Sequence, residues 1–547
     1  MSWTGLVGVG MRARLHARIK ALRDVDRWQR DTARVQIQTL RKLLSTAAET
    51  RFGRAHDFGK LCQLDDDSIV QAYRKAVPVR DWYGFKDDIA EMREAGRPDV
   101  LWPGLVRDFC QTSGTTAGDK FIPVSDAMFK SNYLSSLDAF AYASMGGLSL
   151  PGVFAGRALF LGGSSDVTTN EHGIRTGDLS GLVTRLIHWP ISEVYLPGSE
   201  IALMDDWTAK IERMAERCIP EDVRFLSGMP SWALVLFQRV LEITGKPTVQ
   251  DVWPNLRVFV HGGVRYQPFE PRMRKLFSGG ERDIPMRVEL YPASEAFVAI
   301  QDRPTITSVG ETDAQPALRL NVDRSNVFEF VPLSEVDSDD PPAFMAHEVE
   351  PGERYVVTLS TCAGLWRYVL GDVVVFESVP AGLDGTGGTG PARLRIVGRH
   401  RHFMNAFGEN IIVEHIENAV AEAARTTAVV VGEFTAAPVY PEPVPGQPSK
   451  PGRLQLAVEL ADGRLGESQL SAFGDAFDRA IKAQNVDYTT KRADGLGMAE
   501  PVVTPVPMGT FHRWMDRTGK LGGQHKCPRC ANHRDIMDAV LAAGRGE

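Results

Sequence analysis

Apolar positions near the start of the chain recur at helical spacing. Leu15, Ile19 and Leu22 fall on one face, and Val35, Leu40 and Leu44 continue the stripe, so 11–46 reads as helix. Arg12, Arg14 and Arg18 would suit a helix lying on a membrane surface. Asp24, Asp26 and Asp31 dilute that face, and a helical layer packed on the main domain is the expected arrangement. Further on, short apolar runs alternate with helical stretches, the pattern of an α/β domain. Strands are expected at 158–162, 257–260, 286–291, 355–359, 373–376 and 394–397. In open α/β sheets ligands gather where strands end, so these ends are where chemistry is expected.

A second pattern begins near Arg399: helix over 413–425, strand over 429–431, a proline-rich loop over 436–452, strand over 454–460 and helix over 468–484. The expected organisation is a large N-terminal α/β domain over 1–398, with β-sheets and packed helices, hinged to a smaller α+β domain over 399–547. A chain of 547 residues exceeds one ordinary core, which agrees with two domains.

Composition narrows the class. A formal charge of -7 over this length gives no nucleic-acid footprint. No run approaches the roughly 18 uninterrupted apolar residues that span a bilayer. Six cysteines are too sparse for a disulfide scaffold, and cytoplasmic residence is the expected setting. Cys527 and Cys530, with His533, His512 and His525 nearby, leave zinc open, although no second cysteine pair stands at ribbon spacing.

Four segments carry chemistry. Thr112-Ser113-Gly114-Thr115-Thr116-Ala117-Gly118-Asp119-Lys120 crowds hydroxyls, glycines and one cation, as a triphosphate loop requires. It is not a Walker A loop: three residues separate Gly114 from Gly118, and Phe121 follows Lys120. Tyr291-Pro292-Ala293-Ser294-Glu295 ends a strand with a ring able to pack on adenine and a carboxylate able to hold Mg²⁺. Asp372, after Gly371, is placed at a loop-to-strand junction where it can accept from ribose hydroxyls. Gly398-Arg399-His400-Arg401 suits a hinge whose cations meet a nucleotide.

Read together, in this order, the segments resemble those of the adenylate-forming enzyme superfamily. Within it the chain looks most like the Gretchen-Hagen-type acyl-acid amido synthetases, the plant hormone-conjugating family and its bacterial relatives. The closer likeness lies in Gln38-Thr39-Leu40, Arg51 through Phe58, Phe109 through Pro123, and Leu365 through Val374. The resemblance implies ATP and Mg²⁺ as cofactors. It puts Thr112, Ser113, Gly114, Thr115, Thr116, Gly118 and Lys120 at the phosphates, and His261, Gly262, Gly263, Tyr291 and Ser294 around the nucleotide. It gives Glu295 the metal, Asp372 the ribose, and Arg399 a nucleotide contact from the hinge. Arg175, Met229 and Trp232 fall in regions that shape the family's acyl site. Pro292 and Ala293, Asn410 and Arg401 depart from the usual pattern.

The implied reaction is adenylation of a carboxylic acid, then transfer of the acyl group to an amine, here that of an amino acid. The superfamily also places a catalytic lysine near its C-terminus. Lys526, in Lys526-Cys527-Pro528-Arg529, is preferred over Lys520, with Lys120 and Glu295 as the other catalytic groups. A thioester ligase using the same first step and a nucleotide-binding sensor without turnover are the rival readings. Neither an obligate protein partner, a nucleic acid nor a membrane is expected.

Overall fold

The computed structural model describes residues 3–112, 120–162, 167–184, 191–204, 207–307, 316–400, 403–404, 411–439, 452–460, 465–485, 488–489, 492, 498–518, 527–531 and 533–546. The chain divides into two compact units. One comprises Met1–Val264, Leu276–Ile396 and Gly522–Gln524; the other comprises Arg265–Lys275, Val397–Leu521 and His525–Glu547.

The first unit opens with two helices, Trp3–Arg23 and Val25–Ala47, where one periodic stretch was expected. Asp24 divides them because its carboxylate accepts from the Arg27 amide at 3.0 Å, capping the second helix. The stripe residues Leu15, Leu22, Leu40 and Leu44 are buried in the main core, so this layer packs on the domain. Arg18 adds a polar clamp, donating to Asp138 at 2.8 and 2.7 Å and to Asp323 at 2.5 and 3.0 Å. Among the described residues no helix is long and apolar enough to cross a membrane.

Among the described residues twelve strands form the main sheet. Across it lie Val327–Pro332, Arg354–Ser360, Tyr368–Ser378, Arg393–Arg399, Leu318–Leu320, Phe297–Ile300, Met286–Pro292, Val258–Gly262, Val223–Gly228, Arg157–Phe160 and Tyr195–Leu196, with Thr305–Ile306 beside Met286–Pro292. The five from Met286–Pro292 to Tyr195–Leu196 run parallel; Met286–Pro292 and Phe297–Ile300 are antiparallel neighbours. A four-stranded sheet is ordered Lys120–Val124, Asp108–Thr112, Arg175–Gly177 and Thr168–Thr169.

The second unit is built on three strands, Val431–Val439, Arg453–Leu460 and Val502–Val506. Alternation sorts their side chains onto two faces. Leu454, Leu456, Val458 and Leu460 join one core with helices Val413–Thr427 and Glu467–Gln484. Ala437, Ala457 and Val506 join another with Phe511, Trp514, Met537 and Val540, from helices Thr510–Arg517 and Asp535–Arg545. The loop expected from 436 begins later, since the first strand runs through Pro438 to Val439. A proline is accepted there because its missing N–H falls outside the Pro438–Leu454 pairing's needs at a sheet margin, where the Pro438 carbonyl instead takes a bond from Arg534 at 3.0 Å.

Candidate active site

Parallel pairing brings three strand ends to one edge of the main sheet. Gly228 lies beside His261, Gly262 beside Leu290, and Val260 beside Val288, so Met229, Gly263 and Tyr291 follow at the same margin. The approach is tight: a Cβ on Gly262 would stand 2.6 Å from the Leu290 carbonyl oxygen, so glycine is required there. Met229 precedes helix Pro230–Thr244, and Trp232 is in its first turn, half-buried. His261 is buried, and burial, aided by the Arg287 cation, pushes its imidazole down to about 3, so it is neutral near pH 7.

Glu295 and Asp372 come from places distant in sequence and meet here. Tyr291 donates from its hydroxyl to Asp372 Oδ2 at 2.5 Å, and Tyr368 donates to Glu295 Oε1 at 3.2 Å. Ser294 is a partner of the Cys110 thiol, and Glu295 and Asp178 both bear on it; burial pushes that thiol up to about 12. Cys110 belongs to strand Asp108–Thr112, whose Thr112 pairs with Lys120 across the hairpin. Lys120 and the backbone of Thr112 thus mark the two ends of the phosphate segment. Ser113, Gly114, Thr115, Thr116 and Gly118 themselves lie outside the described residues, as do Arg401, Asn410, Lys520 and Lys526.

The setting of Asp372 differs from expectation. It lies within the eleven-residue strand Tyr368–Ser378, not at its start. Pairing with the neighbouring strand shifts between Val356–Val373 and Thr358–Val369, so Leu370, Gly371 and Asp372 form a bulge, with Gly371 at φ 90°. A bulge re-aims the side chain it contains, and Asp372 is directed to Tyr291.

The strand is held from behind by residues of the N-terminal likeness. Trp366, fully buried, has Phe52 stacked at 6.2 Å and Phe58 edge-on at 4.7 Å, and its indole donates to the Leu101 carbonyl at 3.2 Å. Arg367 follows in the left-handed region at φ 49°. Its guanidinium meets Glu329 at 3.0 Å and the carbonyls of Arg74 and Val77 at 3.0 and 2.7 Å.

Several expected groups have other surroundings. Arg175 is engaged by Asp108 in a bidentate pair at 2.7 and 2.6 Å, which ties its strand to the neighbour carrying the phosphate segment. Arg399 is exposed at the end of strand Arg393–Arg399 and belongs to the second unit. Cys527 and Cys530 are buried free thiols in different cores, on opposite faces of the small sheet, and burial pushes both thiols up. Such thiols do not share a metal, and no group of three metal-ligating side chains occurs among the described residues.

Two titratable groups had no sequence signal. Asp178 is pushed up to about 7 by burial, against the Lys210 cation; Lys210, fully buried, is pushed down to about 8 by burial and donates to the Ala202 carbonyl at 2.7 Å. Neither belongs to a motif. Tyr368 was likewise missed, because a phenol inside an apolar strand looks like core until its cross-sheet partner is known.

Solved structures share this architecture. The structure matches the GH3.15 acyl acid amido synthetase over 94% of each chain, with TM-score 0.72 and 17% identity. It matches 2-hydroxyisobutyryl-CoA ligase in the postadenylation state over 94% of this chain and 92% of that one, with TM-score 0.52 and 12% identity. The GH3 family N-terminal domain matches residues 21–199 and 176–281, the central domain 320–381, and the C-terminal domain 414–535. The chain belongs to the GH3 family. Its curated relatives include the indole-3-acetic acid-amido synthetase GH3.3 of Arabidopsis thaliana, 22% identical over 95% of this chain and 93% of that protein. The jasmonoyl-L-amino acid synthetase JAR6 of Nicotiana attenuata is 21% identical over 94% of each.

Proposed function

We propose that the protein is an ATP-dependent acyl-acid amido synthetase that joins a carboxylic acid to the amine of an amino acid. The observation that carries this reading is the meeting of Tyr291, Glu295 and Asp372 at the sheet edge where the strand ends converge. Its full-length kinship with amido synthetases supports the choice of acceptor.

A carboxylate is a poor electrophile, so one of its oxygens first attacks the α-phosphorus of ATP and the bond to pyrophosphate breaks. The amine nitrogen then attacks the acyl carbon, loses a proton, and AMP leaves. Asp372 would bind the ribose hydroxyls, and Lys120 with the preceding hydroxyl-rich segment would bind the phosphates. Arg399 would contact the nucleotide in the same reading. Met229 and Trp232 would bound the acyl group with apolar surface. No protein nucleophile is required, in keeping with the high pKa of the Cys110 thiol.

Mg²⁺ fits this donor set: one carboxylate, Glu295, with phosphate oxygens and water suffices for a hard cation that keeps much of its hydration. When bound, it would neutralise charge developing on the phosphates. The six free cysteines favour a reducing, cytoplasmic setting.

The test is acid-dependent ATP–pyrophosphate exchange across a carboxylic-acid library, followed by amino acids and CoA offered to the best acid. Amide formation is expected. A CoA thioester as the sole product would make the protein a thioester ligase, and ATP binding without exchange on any acid would make it a sensor. Within this reading Lys526→Ala should slow exchange roughly a hundredfold, as loss of one preorganised cation does. Near-normal exchange in Lys526→Ala, with the loss found in Lys520→Ala, would move the role to Lys520.

A further inference from the structure

Glu295 and Asp372 are gripped by two tyrosines that cross between the elements carrying them. Strand Met286–Pro292 and its turn supply Tyr291 and Glu295; strand Tyr368–Ser378 supplies Tyr368 and Asp372. Each phenol reaches the other element's carboxylate: Tyr291 Oη donates to Asp372 Oδ2 at 2.5 Å, and Tyr368 Oη donates to Glu295 Oε1 at 3.2 Å. Tyr291 is 5% exposed and Tyr368 3%, so neither hydroxyl is an ornament of the surface.

A carboxylate does not orient itself. The terminal torsions of Glu and Asp are broad and shallow, and a carboxylate on a short turn samples many directions. A hydrogen bond to a buried phenol narrows that freedom, provided the phenol is itself held. Tyr368 is held by the ring of Phe85 at 6.1 Å, by the bond from the Val369 amide to the Arg80 carbonyl at 2.8 Å, and by the Arg367 anchor beside it. The bulge at Gly371 then sets the distance along the strand from Tyr368 to Asp372.

We propose that Tyr368 and Tyr291 are positioning residues of the nucleotide site, a crossed clasp that aims both carboxylates before ATP arrives. Tyr368 sets Glu295 for the metal-bound triphosphate, and Tyr291 sets Asp372 for the ribose. The inference rests on the roles proposed above for Glu295 and Asp372. It adds that their direction is supplied by phenols from the opposite element, the kind of outer support that commonly governs metal affinity.

The test uses the full-length protein, with Tyr368→Phe and Tyr291→Phe titrated calorimetrically with ATP in MgCl₂ and with AMP in its absence. AMP keeps the ribose but lacks the β- and γ-phosphates. Tyr368→Phe should weaken ATP binding roughly tenfold and change AMP binding less than twofold. Tyr291→Phe should weaken both ligands by a similar factor. Tyr368→Phe binding ATP within twofold of wild type, or losing ATP and AMP equally, would overturn the proposal. Equal losses with a lower unfolding midpoint would mean a purely structural role.

Glu295→Gln separates the two layers of argument. If it binds ATP in MgCl₂ as the wild type does, the metal role of Glu295 itself fails. If it is weakened while Tyr368→Phe is not, only the clasp fails. In the double variant, Tyr368→Phe should add nothing to Glu295→Gln; additive losses would show that the phenol acts elsewhere.

Discussion

Replacing Glu295 with glutamine should lower acid-dependent ATP–pyrophosphate exchange roughly a thousandfold, because the substitution removes charge where the reaction most needs it. Glutamine keeps an oxygen able to accept from Tyr368, so the turn should hold its shape and the loss should be electrostatic. A neutral amide is a poor ligand for Mg²⁺, and the triphosphate would enter with less of its charge balanced. Glu295→Asp should fall between the two, since it keeps the charge and shortens the reach. Exchange assayed over a range of MgCl₂ is the measurement: higher magnesium should recover part of the Asp variant's rate and little of the Gln variant's. Exchange in Glu295→Gln within tenfold of wild type would remove Glu295 from the metal and reopen the assignment.

Arg367→Ala should cost the first unit about 3–5 kcal/mol of stability, the scale for removing one partner from a buried ionic network. Arg367 is 2% exposed and its guanidinium satisfies the Arg74 and Val77 carbonyls as well as Glu329. Arg74 also pairs with Glu329, at 2.9 Å, so Glu329 would keep one cation while the two carbonyls lost their donor. Alanine would inherit the left-handed backbone without the bonds that sustain it. Arg367→Lys should recover only part of the loss, because an ammonium cannot reproduce the fork. Urea unfolding of each variant, followed by a probe in the first unit such as the Trp366 environment, would measure the shift. A change below about 1 kcal/mol would mean that the network is not structural.

Much of the frame was legible in the sequence because it depends on local periodicity. The apolar runs at 286–291 and 355–359 lie inside strands Met286–Pro292 and Arg354–Ser360, and the expected helix over 468–484 lies inside Glu467–Gln484. The strings around Tyr291, Glu295 and Asp372 could be picked out because their residue types suit a nucleotide. What could not be read depends on register and on partners far along the chain. Asp372 looked like a junction residue because the bulge around Gly371 exists only relative to the neighbouring strand. The pairing of Arg175 with Asp108 could not be read because it depends on the parallel register of their strands. Asp24 could be seen only as a charge diluting a basic face, whereas its carboxylate ends one helix and starts another. The segment Arg265–Lys275 read as part of the large domain, yet it packs with the second unit.

That segment makes the second unit discontinuous along the chain. Arg265 meets Asn418 at 3.0 Å, and Phe269 lies 5.7 Å from the guanidinium of Arg529, which is itself held by Glu433 at 2.6 Å. During synthesis, Arg265 and Phe269 leave the ribosome long before Asn418, Glu433 and Arg529 exist. These contacts therefore form only after Asn418 and Arg529 have been made. The segment Arg265–Lys275 is thus made well ahead of the residues it packs against, and it takes its place in this unit only once they have followed it.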